Sequence, residues 1–237
     1  MIEGLKEMFK SRLHLWQLHN QQRLPEEILI YRDGVGETMY DLVRTEELPL
    51  IRQACQEVYP ATATKANKPY ITIVICGKRH HTRFYPTTEA EADSRGNCKP
   101  GTVVDRGITE TRIWDFYLQA HSALQGTAKP CHYIVVHDEI FRRRAAAATT
   151  KDGRTVGQRA QDDLEGLTHA MCYMFGRATK AVSLCPPAYY ADLVCDRARR
   201  WLSRVFDERT VVSSEGGEAK PEDVQIHANL KNTMFYI

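Results

Sequence analysis

The stretch Ile28-Leu29-Ile30-Tyr31-Arg32-Asp33-Gly34-Val35 constrains this chain more than any other. Four apolar or aromatic residues in a row read as a buried strand, and Arg32 and Asp33 then break the run. Gly34 follows, and a glycine lets the backbone turn sharply. A carboxylate is thereby expected at the carboxyl end of a central strand, the edge where open α/β sheets bind ligands. A second acid, Asp192, stands far downstream in Pro187-Ala188-Tyr189-Tyr190-Ala191-Asp192, near the start of a basic helix. Two acids from distant segments, set among arginines, point to metal ions and phosphodiesters.

The pattern around that strand is α/β. Residues 2–19 read as an amphipathic helix, with Leu5, Met8, Phe9, Leu13 and Trp16 on one stripe. Residues 37–58 read as a second helix, divided at Pro49. Tyr70 to Cys76 is the strongest strand in the chain, β-branched and nearly uncharged. It is expected to pair in parallel with 28–32, with the intervening helix as the crossover. Gly77 then opens a cationic run, Lys78-Arg79-His80-His81-Thr82-Arg83, and residues 86–101 read as a polar loop. Residues 103–105, 111–121 and 132–136 read as extended. Residues 142–157 read as a variable loop. Residues 158–177 read as a helix with Leu164, Leu167, Met171 and Met174 on one side. Pro186-Pro187 starts a last helix that runs to about Phe206.

Charge is distributed unevenly. The formal net charge over 237 residues is only +2. Residues 177–204 nevertheless carry six Lys and Arg against two Asp, while residues 207–223 carry six acids against two cations. The acidic stretch hides the basic one in the sum. The seven cysteines form no C-x-x-C pair and are odd in number. That argues against a disulfide framework or a zinc site and fits a reducing compartment. Residues 1–20 are charged throughout, so no signal peptide is visible, and no apolar run reaches the ~18 residues of a membrane span.

Taken singly, the candidate residues have plain readings. Asp33 in Arg-Asp-Gly is more often a turn residue bonding its own backbone. Asp192 is an acid in a first helical turn, favoured by the macrodipole. Lys78, Arg79, His80, His81 and Arg83 read equally well as a phosphate-contacting segment or as a solvated face. Adjacent histidines on an extended segment point to opposite sides, so His80 and His81 do not share a metal. His137-Asp138-Glu139 is read as surface.

Together the segments resemble the Piwi domain of eukaryotic Argonaute proteins. The matching stretches are Tyr31-Arg32-Asp33-Gly34-Val35, Lys78-Arg79-His80-His81-Thr82-Arg83, Gly101-Thr102-Val103-Val104-Asp105 with Ile108-Thr109, and Asp115-Phe116-Tyr117-Leu118 with His121. Gln125-Gly126-Thr127 with Pro130, Tyr133, and Pro187-Ala188-Tyr189-Tyr190-Ala191 with Arg197-Ala198-Arg199 continue the match. The ending Thr233-Met234-Phe235-Tyr236-Ile237 looks like an Argonaute carboxyl terminus. The match covers nearly the whole chain in the family's order.

The resemblance implies an α/β, RNase H-like mixed sheet flanked by helices and missing its first strands. It implies a body over 1–206, a mobile acidic loop over 207–225 and a buried carboxyl-terminal segment over 226–237. It also implies guide-directed cleavage of target RNA by two Mg²⁺ (or Mn²⁺) ions held by four side chains. Asp33 corresponds to the third ligand and Asp192 to the fourth, so this chain supplies half of the two-metal site. Hard carboxylate oxygens suit Mg²⁺, and paired ions about 3.5–4 Å apart need several of them. The family's first aspartate and its glutamate lie ahead of residue 1, so the chain alone is expected not to cleave RNA.

For guide RNA the resemblance points to Arg197 near the 5′ phosphate, with Arg177, Ser183, Tyr189 and Arg199 along the adjoining backbone. Lys78, His81, Arg83 and Gln125 approach nucleic acid, and the Ile237 carboxylate points toward the same junction. The implied partners are a small guide RNA, a target RNA and upstream Mid and PAZ domains, in a cytoplasmic setting. Three readings stay open at this stage. They are the carboxyl-terminal part of a slicing Argonaute, a guide-binding module that represses without cutting, and a truncated product that folds poorly.

Overall fold

The structure, a computed structural model, describes residues 2–61, 68–148, 153–203 and 224–237. The chain divides into two compact units, Met1–Pro186 and Pro187–Ile237. The boundary falls inside the single body expected over 1–206.

The first unit is built on a five-stranded mixed sheet. Helix α1 (Ile2–His19) precedes strand β1 (Glu27–Asp33), and α2 (Tyr40–Leu42) and α3 (Leu48–Val58) lead to β2 (Tyr70–Gly77). Strands β3 (Thr102–Val104), β4 (Trp114–Gln119) and β5 (Cys131–Asp138) follow, then helices α4 (Phe141–Ala147) and α5 (Val156–Cys172). The strand order is β1-β2-β5-β4-β3. β1 and β2 pair in parallel, as their apolar runs require, from Glu27 opposite Tyr70 to Asp33 opposite Cys76. The other pairings are antiparallel.

β2 is buried on both faces, which is why its sequence is an unbroken apolar run. Alternation sends Ile71, Ile73 and Ile75 to one face, where they join Leu13 of α1 and Leu48, Ile51 and Cys55 of α3. Tyr31 packs on the opposite face, where the Tyr133 ring meets it edge-on at 6.2 Å. The Tyr31 hydroxyl lies 2.7 Å from the Thr168 hydroxyl of α5. Thr168 donates to the Leu164 carbonyl, so Tyr31 is the donor in that pair.

Several elements differ from the sequence reading. The 37–58 segment is helical but not one α-helix: Glu37–Met39 is a 3₁₀ turn, α2 follows, and Val43–Glu47 is a π-helical turn immediately before α3. Pro49 has no N–H and its ring crowds the carbonyl four residues back, so the ladder widens there. The segment read as a variable loop begins instead as helix α4. Alanine is the best helix former, and Asp138 caps the start: its carboxylate accepts from the N–H groups of Ile140, Phe141 and Arg142 at 3.0–3.1 Å. His137 and Glu139 are half-buried rather than surface. Glu139 accepts from Arg52 at 2.7 Å and from the Ile71 N–H at 3.0 Å, and His137 Nε2 lies 3.2 Å from it. All seven cysteines are free thiols. Among the described residues, no helix is long and apolar enough to cross a membrane.

The buried stripe of α5 is also not the one expected. Leu167 is 43% and Met174 74% exposed, whereas Ala160, Leu164, Thr168 and Cys172 are buried at four-residue spacing. Small residues win this face because the helix lies close to the sheet beside Tyr31 and Tyr133. Glu165 is trapped on the edge of that stripe at 8% exposure, and its Oε1 has no hydrogen-bond partner. Burial, then repulsion from Asp105 and Asp162, pushes its carboxyl up to about 7.

The second unit holds helix α6 (Pro186–Trp201), which begins at the boundary, and the carboxyl-terminal residues. Met234 and Ile237 are exposed and Phe235 and Tyr236 half-buried, so this segment is not the buried plug expected. Most of the expected acidic loop lies outside the described residues.

Glu165 gives a test of this packing. Its raised carboxyl holds a proton in the folded chain that the unfolded chain has already released. Stability therefore falls as pH rises from the ordinary carboxylate value of 4.5 to about 7, and stays lowered above that. Glu165→Gln is expected to stabilise the chain by about 1–3 kcal/mol at pH 8, and by almost nothing near pH 4, measured by urea unfolding at both pH values.

Candidate nucleic-acid interface

Parallel pairing brings two candidate segments out of one sheet edge. Asp33 ends β1 opposite Cys76, and Gly77-Lys78 continues from β2 one residue later. Asp33 is half-buried, and its Oδ1 accepts the Gly34 N–H at 2.7 Å. Gly34 has φ of +75°, a conformation that suits glycine. The turn reading of Asp33 is thus correct, and it leaves Oδ2 without a hydrogen bond among the described residues.

Arg32 is engaged within the fold. Its guanidinium grips both oxygens of Glu47, at 3.0–3.2 Å, and also donates to the Asp33 carbonyl. Glu47 ends the π-helical turn. The strand's last arginine is therefore a brace between the crossover helix and the backbone that carries Asp33. In the sequence Arg32 is the end of an apolar run and part of the Tyr31–Val35 motif, and nothing there pairs it with Glu47.

The cationic run leaves β2 as chain without regular secondary structure, with a bend at Arg79. It lies on aromatic rings of β4 and β5. His132 stacks on Tyr117 with centroids 4.0 Å apart, and His80 and Phe84 meet Tyr117 edge-on at 5.4 and 5.5 Å. Asp115, 3% exposed, holds His132 Nε2 at 2.6 Å and accepts the Glu110 N–H at 3.0 Å. His80 Nε2 lies 3.0 Å from the Pro130 carbonyl, so that nitrogen carries the proton. His80 Nδ1 is buried without a partner. Burial first, and then the neighbouring His132 and Arg83 charges, hold the His80 ring below its ordinary value, although the Pro130 contact opposes this.

The other candidates fall around this platform. Lys78 donates to Ser183, so two of the expected guide contacts meet directly. His81 is exposed. Arg83 spends Nη1 on the His80 and Thr82 carbonyls, at 3.1 and 2.7 Å, and so stiffens its own segment. Gln125 is exposed on a loop fixed from below by buried Asn97. The Asn97 side chain donates to the Gly126 carbonyl at 3.1 Å and accepts the Ala128 N–H at 2.8 Å. Asn97 lies in the stretch read only as a polar loop, and its role has no local sequence signal. His121 is lowered by burial and by Lys78. Arg177 is exposed in the connector after α5.

In the second unit, Tyr189, Asp192, Arg197 and Arg199 all lie on α6. Tyr190 and Arg197, seven residues apart, share a stripe. Tyr190 meets Tyr236 at 6.4 Å, and Arg197 lies over the Phe235 ring at 5.9 Å. The carboxyl-terminal residues leading to Ile237 thus dock beside Arg197. Asp192 and Arg199 share a different, exposed stripe. Among the described residues, no three His, Cys, Asp or Glu side chains converge to hold a metal. Asp33 has the chemistry of one divalent-metal ligand, but the described residues do not make a complete site.

With this geometry in view, comparison with known proteins is decisive. The family model of the Piwi domain matches residues 1–146. The chain belongs to the Piwi family. Its relatives place it among the eukaryotic Argonautes. It is 37% identical to argonaute 14 of Oryza sativa subsp. japonica over 97% of this chain and 21% of that protein. It is 35% identical to the argonaute of Schizosaccharomyces pombe over all of this chain and 26% of that protein. Among solved structures, it superposes on the carboxyl-terminal lobe of a budding yeast Argonaute with a TM-score of 0.79, 32% identity and coverage of 98% of this chain and 44% of that one. It superposes on Kluyveromyces polysporus Argonaute with a guide RNA at a TM-score of 0.80 and 32% identity, covering all of this chain and 27% of that one. The mixed sheet with flanking helices is the RNase H-like fold of these neighbours, a fold that suggests a divalent-metal nuclease family. The chain spans about a fifth to a quarter of the curated relatives' length.

The platform predicts an acid response. His80 is depressed, so its contribution to stability is present above the ordinary histidine value of 6.5 and is lost as pH falls through its lower folded value. Melting temperatures of the chain and of His80→Gln, which keeps a donor for the Pro130 carbonyl, are compared at pH 7.5, 6.5 and 5.5, because Glu165 adds stability over the same interval. The chain is expected to lose stability relative to the variant below pH 6.5. An unchanged pH profile in the variant rejects the assignment.

Proposed function

We propose that this chain is the carboxyl-terminal part of an Argonaute Piwi domain that binds a small guide RNA in RNA silencing and takes part in guide-directed cleavage of target RNA. The observation that carries the reading is the shared sheet edge. The Asp33 carboxylate and the Lys78–Arg83 segment leave neighbouring parallel strands, and Lys78 meets Ser183 there. Phosphate contacts of this kind position a strand without reading its sequence, which is left to base pairing with the guide.

On this reading Lys78, His81, Arg83, Gln125, Arg177 and Ser183 of the first unit contact RNA. Tyr189, Arg197, Arg199 and the Ile237 carboxylate do so from the second. Arginine suits such positions because its planar fork matches phosphate oxygens in pairs. Asp33 and Asp192 are the metal ligands that the family motif assigns, and bound Mg²⁺ or Mn²⁺ would activate water and steady the leaving oxygen. Asp33 is held for that role by the Gly34 N–H on one oxygen and by the braced backbone behind it. The working partners are the guide, the target, and the Mid and PAZ domains of a longer parent protein, in the cytoplasm.

Guide binding is tested on the chain itself by fluorescence anisotropy with a 5′-phosphorylated single-stranded RNA over a salt series. Lys78→Ala combined with Arg83→Gln removes two cations while keeping a donor for the segment's carbonyls. Affinity is expected to fall at least tenfold, and the slope of log K against log salt to shrink by about 1.4. Equal affinity and slope reject the interface.

Cleavage is tested in a longer chain that binds guide. Asp33→Asn is expected to abolish Mg²⁺-dependent cutting while leaving guide affinity within about twofold. Persistent cutting by that variant rules Asp33 out as a ligand.

A further inference from the structure

A cavity of about 430 Å³ opens on the first unit, within the range of roughly 300–1,000 Å³ usual for small-ligand sites. Its lining includes Ile134 and Val136 of β5, Trp114 of β4, Tyr40 and Arg44 from the crossover helices, and Arg112 and Arg142. None of these residues belongs to the expected guide contacts.

The charges in the wall do not cancel. Asp41 ion-pairs with Arg44 at 3.1 Å. Asp138 is taken up by the N–H groups that begin α4 and by the Thr72 hydroxyl. His137 turns to Glu139 at 3.2 Å. Arg112 and Arg142 are left with no carboxylate among the described residues. Arg142 lies over the Trp114 ring at 5.6 Å, and the Trp114 indole N–H is enclosed with no acceptor. Two guanidinium groups without a carboxylate partner, an indole ring and aliphatic side chains suit a ligand that joins an anion to a flat ring. A nucleotide is such a ligand: its phosphate meets the arginines, and its base lies on aromatic and aliphatic carbon.

The position of the cavity says where that nucleotide comes from. Tyr117, His132 and Ile134 share one sheet face, by the pairing of β4 with β5 and by two-residue alternation. Val136 lies four residues along β5 from His132, roughly 13 Å at strand spacing. Ile134 and Val136 therefore continue the face of the His80–Tyr117–His132 platform, while Trp114, paired with Val135, belongs to the other face, so the cavity lies at the end of the sheet beyond the platform.

We propose that this cavity takes one nucleotide of an RNA strand and forms a second RNA contact, separate from the Lys78–Arg83 segment. The inference rests on the reading of the domain as an RNA binder. It is tested by calorimetric titration of the chain at low salt with inorganic phosphate, UMP, AMP and hexauridylate. The titrations are repeated on Arg112→Gln/Arg142→Gln and on Lys78→Ala/Arg83→Gln. Both arginines are exposed, and circular dichroism melts check that the variants fold.

The expected result has three parts. The mononucleotides bind at least tenfold more tightly than phosphate, and hexauridylate binds more tightly than UMP. The Arg112/Arg142 variant loses at least tenfold for both nucleotide and hexauridylate. The Lys78/Arg83 variant keeps its mononucleotide affinity. Phosphate binding as well as AMP overturns the proposal, because the ring surfaces then contribute nothing. Hexauridylate no tighter than UMP overturns the assignment to an RNA strand and marks a free-nucleotide site. Loss confined to the Lys78/Arg83 variant sinks this cavity and leaves the guide reading standing. Hexauridylate binding that depends on Arg112 and Arg142 alone does the reverse.

Discussion

The parallel pairing of β1 with β2 is the constraint on which the rest of the first unit depends. It sets Asp33 beside Cys76 and so makes the metal-ligand candidate and the cationic segment leave the sheet together. A parallel pair needs a crossover, and the helices over residues 37–58 provide it. Those helices bury Leu48, Ile51 and Cys55 against Ile71, Ile73 and Ile75. A register slip of one residue would send the isoleucines of β2 to the α5 face and Tyr31 away from Thr168. The register is therefore fixed by both sides of the sheet at once.

The edge is stiffened by polar contacts between segments distant in sequence. Arg32 and Glu47 join the strand to the π-helical turn with a bidentate ion pair. Such pairs are geometrically demanding. The widened turn is where Pro49 disturbs the helix ladder, so an irregularity of backbone coincides with the anchor for the strand end. Asp115 does a similar job for the platform, through His132 to Tyr117 and from there to the cationic segment. In both places an acid fixes a cation or a ring, and that group fixes the backbone of a candidate functional residue.

Much of this organisation is legible in the residues. The β1 and β2 strands, their parallel pairing, the helix over 2–19 and the turn at Gly34 follow from apolar runs and from glycine's backbone freedom. The motifs also sufficed to find the Piwi resemblance, because they recur in one order along nearly the whole chain. What stayed hidden depends on partners far apart in sequence. The Arg32–Glu47 brace, the Asn97 support under Gln125 and the Lys78–Ser183 contact each join separate segments. The buried face of α5 was misjudged because Leu167 and Met174 are more apolar than Thr168 and Cys172, yet the small residues fit against the sheet. Helix α4 was missed because three arginines looked like a loop, while Asp138 and the alanines that follow favour a helix.

The sequence by itself determined the local alphabet of this domain: which runs are strands, where the chain turns, and which acids and cations are available. These depend on periodicity and on backbone freedom, both of which are properties of neighbours. Only the tertiary structure decided which cations are committed to structure and which remain open. Arg32 and part of Arg83 turn inward to carbonyls and a carboxylate, whereas Arg112 and Arg142 meet no acid among the described residues. The reason is physical: a charge is neutralised by whatever folding brings within a few ångströms of it, and that distance has no counterpart in the order of the residues.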